Sequence, residues 1–283
     1  MIKIAIQKSG RLNEESLNLI KDCGINFEIY RDQLKVISKN YPIEIYFLRN
    51  GDIPKYLNDG VVDLAIIGEN TLSEKGYQLK IIEKLGFSKC RVSLAIPNDF
   101  KYESINDLNN IRIATSYPNI LKKFLKKENI KSDLHIINGS VEISPSIGLS
   151  DAICDIVSSG STLFENNLIE VVTLLESEAV LVQSGKVNKK IYAEIKNLTF
   201  RIKSVLLAKK FKYILMNAPN KSINKISKIL PVLKSPTVLP LAKDGWSSIH
   251  SVINYEDFWN IIDKLKKEGA EDILVCPIEK MVI

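Results

Sequence analysis

The chain has 283 residues, 39 basic against 33 acidic, for a formal charge of +6, with 45% hydrophobic and 25% charged side chains. These proportions suit a globular protein of two or three domains and exclude disordered and collagen-like architectures. A charge of +6 over this length is too weak to argue for nucleic acid but suits a small polyanion, and with only His135 and His250 a multi-histidine zinc site is excluded. A Ser-His-Asp triad would have to recruit one of those two residues. Cys23, Cys90, Cys154 and Cys276 lie far apart with no C-x-x-C pair, as expected of single thiols in a reducing compartment. The apolar run at the N-terminus is too short for a secretory signal, and no stretch approaches the length of a membrane span. A cytoplasmic enzyme or binding protein without membrane contact is the expectation.

Ile2 to Ile6 reads as a buried strand, followed by the loop Lys8-Ser9-Gly10-Arg11 and a helix capped by Asn13 and stopped by Gly24. Ile43, Ile45 and Phe47 alternate as a strand ending in Arg49-Asn50-Gly51. Asp52 and Pro54 then open a short helix, Gly60 closes it, and Val61 to Ile67 forms a strand ending in Gly68-Glu69-Asn70. Successive units of this kind predict a largely parallel sheet with ligands gathered at the C-terminal strand ends. Near residue 95 the pattern restarts, with a strand over Arg91 to Ile96 and another from Ile111 to Ala114. The turn Thr115-Ser116-Tyr117-Pro118 leads into a helix with Ile120, Leu121, Phe124 and Leu125 on one face and a solvated lysine face opposite. A strand near Leu134 to Ile137, a helix from Pro145 to about Asp151 and a strand over Ala152 to Val157 follow, giving two similar α/β lobes with a cleft between them. A connecting helix spans about 188 to 210. The remaining segment reads βαββαβ, the ferredoxin-like order of an appended binding module. Its Trp246 and Trp259 are read as packing or subunit-contact residues.

The most informative stretch runs from Glu142 to Leu163. An apolar strand delivers Asp155 near its end, and the loop Ser158-Ser159-Gly160-Ser161-Thr162 follows with one glycine and four hydroxyls. Loop amides and hydroxyls of this kind suit a phosphate monoester, with Asp155 placed for ribose hydroxyls. The same residues also read as a hydrophilic turn with a helix cap. The stretch is neither a Walker loop nor a G-x-G-x-x-G fingerprint.

Glu142, Gly148, Asp151, Asp155 and Ser159-Gly160-Ser161-Thr162-Leu163 resemble, at matching spacing, the phosphoribosyl-pyrophosphate (PRPP) signature of the ATP phosphoribosyltransferases, which open histidine biosynthesis. Ile4 to Leu12, Asp59 to Asn70, Cys90 to Ala95, Arg112 to Pro118 and Pro277 to Met281 resemble that family too, and the ferredoxin-like tail marks its long form. The resemblance implies an α/β fold of two lobes like type II periplasmic binding proteins, over residues 1–92 with 180–207 and over 93–179, with a regulatory domain over 208–283. It implies attack of the adenine N1 of ATP on C1 of PRPP, release of pyrophosphate, a requirement for Mg²⁺, inhibition by L-histidine with AMP as a second candidate inhibitor, and a homo-oligomer between dimer and hexamer.

Under that resemblance Glu142, Asp155, Ser158, Ser159, Gly160, Ser161 and Thr162 are the PRPP candidates. Lys8 and Arg11 are expected to neutralise pyrophosphate or the ATP phosphates, and Glu69 joins them as a catalytic candidate. Arg49, Asn70, Arg91, Thr115, Ser116 and Tyr117 are the ATP candidates, with a helix cap as the other reading of Asn70 and base stacking expected of Tyr117. Glu69 or Asp155 is the candidate for metal contact. Thr237, Ser248, His250, Ala270 and Ile273 are expected to border the inhibitor site. Two departures stand out: Ser146 where many long-form relatives carry arginine, and Asn50-Gly51-Asp52 where they carry a run of aspartates. The competing readings are a non-catalytic bilobal solute-binding protein and a phosphoribosyltransferase for another base.

Overall fold

The computed structural model describes residues 1–230 and 235–282. Along the chain come β1 (Ile2–Gln7), α1 (Arg11–Asp22), β2 (Lys35–Ile37), β3 (Ile43–Leu48), α2 (Ile53–Asp59), β4 (Leu64–Gly68), α3 (Glu69–Lys75) and β5 (Lys80–Lys84). Then follow β6 (Cys90–Pro97), β7 (Arg112–Thr115), α4 (Pro118–Glu128), β8 (Asp133–Ile136), β9 (Ala152–Val157), α5 (Ser161–Glu165), β10 (Leu168–Ser177) and β11 (Ala179–Gln183). The last third holds α6 (Tyr192–Lys209), β12 (Phe211–Pro219), α7 (Ile223–Ile229), β13 (Thr237–Pro240), β14 (Trp246–Asn254), α8 (Phe258–Lys267) and β15 (Glu271–Pro277). Two compact units meet within α6, one over Met1–Lys196 and the other over Asn197–Ile283.

The first unit holds two sheets, ordered β2-β3-β1-β4-β11-β5 and β10-β6-β9-β7-β8. β1 is parallel to β3 and β4, with Ile4 opposite Ile45 and Leu64, while β11 is antiparallel to β4 and β5. In the second sheet β7 is parallel to β8 and β9, while β6 is antiparallel to β9 and β10. Leaving the short edge strand β2 aside, the two share one plan. Three parallel strands are followed by an antiparallel strand that crosses from the other sheet, then by an edge strand. This is the type II periplasmic-binding-protein arrangement, with crossings after β5 and after β10.

The central strands are apolar because both their faces are covered. Ile4, Ile6, Ile45, Leu64 and Ile66 are fully buried, each contributing about 1.5–3 kcal/mol of apolar transfer. The second sheet buries Val92, Leu94, Ile113 and Cys154 against Ile120, Leu121 and Leu125 of α4, and Ile153 on its other face against Val141 and Leu163. Lys122, Lys123, Lys126 and Lys127 stand exposed on the opposite side of α4.

Several local expectations are corrected. The sheets are mixed rather than largely parallel, because each receives a crossing strand. β5, β10 and β11 carry apolar residues without the loop-helix rhythm that marks the other strands. The expected boundary at 92 falls within β6, which pairs in the second sheet from Cys90 onward. No helix spans Pro145 to Asp151; a single 3-10 turn at Val141–Ile143 and further turns occupy that stretch. Asn13 does not cap α1: Gly10 occupies the cap position, and the Asn13 amide donates to the Gln7 carbonyl at 2.6 Å.

In the second unit the antiparallel sheet is ordered β13-β14-β12-β15, completing the βαββαβ pattern. Ile214, Met216, Ile249 and Ile253 pack beneath Ile226, Leu230, Ile261 and Leu265 of α7, α8 and their flanks. Alternation along β12 and β14 sends Tyr213, Ser248 and His250 to the other face. Among the described residues, no helix is long and apolar enough to cross a membrane.

Candidate active site

The loop between β1 and α1 is shaped by its own polar groups. Gln7 Nε2 donates to the Ser9 carbonyl at 2.7 Å, and Asn13 ties the helix back to Gln7. Lys8 and Arg11 stand exposed at its rim. Arg11 donates through Nε to Glu15 Oε1 at 3.3 Å, and the other Glu15 oxygen takes the Ser88 hydroxyl. Arg49 leaves β3 exposed at the neighbouring strand end. Among the described residues neither Lys8 nor Arg49 is held in an ion pair, so both keep their charge available to a ligand.

The end of β4 behaves differently. Glu69 is taken by Lys84 Nζ at 3.1 Å, and its backbone amide donates to the Glu178 carbonyl at 3.0 Å. Asn70 is buried: its backbone N–H donates to Ser177 Oγ at 2.9 Å, the same hydroxyl donates to Asn70 Oδ1 at 3.0 Å, and Asn70 Nδ2 donates to the Tyr117 hydroxyl at 2.9 Å. Asn70 is therefore a bridge between sheets and not a helix cap, since α3 has no side-chain cap bond. Gly68 makes room for it, because a Cβ there would sit 2.2 Å from Asn70 Oδ1. A second bridge comes from buried Glu74, whose carboxylate accepts the backbone amides of Asn119 and Ile120, each at 2.9 Å, at the start of α4. Asn50 joins the same region by donating to Thr71 Oγ1 at 2.9 Å.

On the second sheet, Thr115 is fully buried and accepts the Tyr117 amide at 2.8 Å. Ser116 Oγ donates to Asp155 Oδ1 at 2.8 Å. Burial, then the nearby Asp155 carboxylate, pushes the Tyr117 phenol well above its ordinary range, so it stays neutral and hydrogen-bonded to Asn70. Tyr117 packs on the core of the second sheet, which commits its ring to structure and leaves little of it for base stacking.

Asp155 emerges at a cavity of about 310 Å³ lined by Glu142, Asp155, Ser158, Ser159, Gly160 and Thr162 among others. Burial and the Glu142 carboxylate raise the Asp155 pKa, opposed by the Ser116 hydroxyl and a backbone amide. Gly160 has φ +86°, a left-handed conformation that an L side chain rarely adopts, which lets the loop turn sharply into α5. α5 spans only Ser161–Glu165, so the loop offers amides and hydroxyls to an anion rather than a long helix dipole. The Ser159 and Ser161 hydroxyls lie 3.0 Å apart, and the Ser161 amide also points at Ser159 Oγ at 3.4 Å. Ser146, by contrast, lines a separate cavity of about 750 Å³ with Pro97, Phe100, Arg112 and Asp151.

Arg91 donates to Glu170 through Nε at 2.5 Å and through Nη2, and its Nη1 donates to the Ser158 carbonyl at 3.2 Å. Arg91 was expected near the cleft, whereas its partner Glu170, and Glu74 and Ser177, were not read as site residues. Glu170 and Ser177 lie on β10 and Glu74 on α3, 45 to 107 positions from the residues they bond.

For the metal, no group of three or more candidate ligands occurs among the described residues. Glu142 and Asp155 share one cavity, an arrangement that fits Mg²⁺ carried largely on substrate oxygens. Glu69, neutralised by Lys84, does not fit that role. In the second unit Thr237 lies opposite His250, whose ring nitrogens contact the Tyr213 hydroxyl at 2.6 Å and Ser248 Oγ at 3.0 Å. Ala270 and Ile273 pack instead toward α7 and α8, on the other face of the sheet.

The profile of the ATP phosphoribosyltransferase family matches residues 49–204, and that of the C-terminal domain of the same family matches 208–280. The chain belongs to the ATP phosphoribosyltransferase family, in its long form. An ATP phosphoribosyltransferase of Cytophaga hutchinsonii is 51% identical over 282 residues, covering 100% of this chain and 99% of the relative. One from Bacteroides thetaiotaomicron is 49% identical, with 100% of each chain covered. A solved ATP phosphoribosyl transferase (HisG:HisZ) complex chain from Thermotoga maritima is 29% identical with TM-score 0.61, covering 72% of this chain and 99% of that one. The activity is that of the family, a pentosyl transfer to ATP at the first step of histidine biosynthesis. The solute-binding reading and the reading as a transferase for another base are thereby set aside.

Proposed function

We propose that PRPP binds with its 5′-phosphate in the loop Ser158–Thr162 and its ribose hydroxyls toward Asp155 and Glu142. The observation that carries this reading is the single cavity that the loop shares with both carboxylates. Adenine N1 of ATP then attacks C1, the N1–C1 bond forms, the C1–O bond breaks, and pyrophosphate leaves with that electron pair. Adenine N1 is already a nucleophile, so the protein contributes position and electrostatics rather than a base. Lys8, Arg11 and Arg49 offer cations to the departing pyrophosphate or the ATP phosphates. Asn70, Thr115 and Tyr117 support the floor of the site through their mutual bonds. Bound Mg²⁺ supplies charge neutralisation to the polyphosphates, with Asp155 and Glu142 as the protein oxygens that fit it.

The catalytic part falls within residues 1–207, and residues 208–283 form the regulatory domain, where Thr237, Ser248 and His250 on one sheet face are the residues offered to L-histidine. AMP is a second candidate inhibitor. The assembly is a homo-oligomer, dimer to hexamer, working in the cytoplasm.

Incubation with ATP, PRPP and Mg²⁺, followed by the adduct's ultraviolet absorbance, tests the reading, and absence of product from folded protein refutes it. Thr162→Ala is expected to weaken PRPP binding by about 1–3 kcal/mol, the scale of a lost partner to a charged acceptor. Unchanged PRPP affinity in calorimetry removes Thr162 from the site. Added histidine is expected to inhibit the intact chain, and inhibition that survives His250→Ala and Ser248→Ala together places the sensor elsewhere.

A further inference from the structure

We propose that Arg91 and Glu170 form a clamp that sets the position of the phosphate loop, making Arg91 a positioning residue rather than an ATP ligand. The inference rests on the reading of Ser158–Thr162 as the PRPP loop. Arg91 lies opposite Val157, the last residue of β9, in the β6–β9 ladder. Beyond Val157 the ladder ends, and the Ser158 carbonyl needs a partner other than a strand. Arg91 Nη1 supplies one at 3.2 Å.

The remaining fork of the guanidinium is filled by Glu170, through Nε at 2.5 Å and through Nη2. A bidentate carboxylate uses the geometry that a phosphate would otherwise take, so that edge of Arg91 is closed to a triphosphate. Arg91 holds the Glu170 carboxyl at a pKa of about 2, and the Thr173 hydroxyl donates to Glu170 at 3.2 Å. The β10–β6 register shifts between Glu170 and Val172 and again between Thr173 and Leu175. Bulges of this kind re-aim side chains next to active sites. The pair is neutral as a whole, so it can fix the loop without adding a cation that competes with Lys8 and Arg49 for the polyphosphates. It therefore differs in kind from those exposed, unpaired cations.

The test uses the full chain with Glu170→Gln, Arg91→Lys, the double variant and Thr162→Ala, measuring KM for each substrate, kcat, and PRPP affinity by calorimetry. Glu170→Gln is expected to raise the PRPP KM about tenfold while the ATP KM stays within twofold, since the loop loses its fixed carbonyl anchor. Arg91→Lys is expected to do the same, because one ammonium cannot meet both the carboxylate and the carbonyl. The double variant is expected to be no worse than the poorer single, the mark of residues acting as one unit. A PRPP KM within twofold of the parent in Glu170→Gln, or an ATP-specific rise in Arg91→Lys, overturns the clamp. If Thr162→Ala weakens PRPP binding while Glu170→Gln does not, the clamp alone fails; if neither does, the loop reading fails with it. Calorimetry keeps the outcome readable should turnover be too slow in any variant.

Discussion

The two sheets of the first unit share one strand plan and present opposite chemistry at its strand ends. After β1 and β3 the first sheet offers Lys8, Arg11 and Arg49, all exposed. At the corresponding ends of the second sheet stand Ser116 after β7, Asp155 near the end of β9 and the hydroxyl loop Ser158–Thr162 after it, with Glu142 beside them. Topology fixes where a ligand sits, and the loop residues decide which part of it each side can take. A substrate pair rich in phosphate yet reacting at a ribose carbon needs both kinds of surface. In the proposed reading the cations receive the leaving charge, the carboxylates orient the sugar and the hydroxyl loop holds its 5′-phosphate.

The sharpest way to break this division of labour is Asp155→Asn, for which kcat/KM toward PRPP is expected to fall on the order of 100-fold or more, the scale of losing one preorganised electrostatic partner. Stability should move the other way. The folded carboxyl has a raised pKa through burial and Glu142. The native state therefore binds a proton more tightly than the unfolded chain, whose Asp titrates near about 3.9. Stability from this group is present below that value and is lost as pH rises through the folded pKa. The asparagine variant escapes that loss, so its melting temperature relative to the parent should rise between pH 4 and pH 7 in a series of melts. A difference that stays flat across the series would mean Asp155 is not strained by its surroundings.

Arg49→Gln probes the other sheet. Arg49 has no ion-pair partner among the described residues, so removing its charge is expected to lower kcat/KM about tenfold and to flatten the dependence on ionic strength. Turnover that keeps the parent's salt dependence would show that the cations of the first sheet are mere surface charge. Next in size is Gly68→Ala, at the bridge between the sheets. Its Cβ would fall 2.2 Å from Asn70 Oδ1, so Asn70 must give up its bonds to Ser177 and Tyr117 or β4 must shift. A loss of about 1–3 kcal/mol in denaturant unfolding is expected, in the range of overpacked cores. An unchanged midpoint would show the bridge to be dispensable.

What the sequence made legible follows the range of the forces involved. Period-two runs such as Ile43-Glu-Ile-Tyr-Phe and the βαββαβ rhythm of the tail report local periodicity, and the fold repeats them. Asp155 and the loop after it line one cavity because the chain brings them together within a few residues. Asn70, Tyr117 and Arg91 were legible as neighbours of the cleft but not as bridges, since their partners Ser177, Asn70 and Glu170 lie 47 to 107 positions away. The helix expected over Pro145 to Asp151 fails for a local reason. Gly148 takes φ +74°, and Ser144 and Ser146 turn their hydroxyls onto the Val141 and Ile143 carbonyls at 2.7 and 2.8 Å, satisfying the backbone as turns instead.

The smallest expected effect comes from restoring an arginine at Ser146. If that position served the pyrophosphate, its serine would leave the second sheet short of a cation, and the contrast between the sheets would be an accident of this chain. The geometry argues otherwise. Ser146 lines the cavity of Pro97, Phe100, Arg112 and Asp151, whereas Ser158, Ser159, Gly160 and Thr162 line another with Glu142 and Asp155. Arg112 in that first cavity is already bonded to Asp151 at 2.7 Å and to the Gly148 carbonyl at 2.9 Å, so an added guanidinium meets a filled carboxylate. Ser146→Arg is therefore expected to leave the KM of both substrates within about twofold, as for a change at an exposed side chain. A several-fold drop in the PRPP KM would show that an arginine side chain reaches from this turn to the phosphates, and that the second sheet gains a cation whenever position 146 provides one.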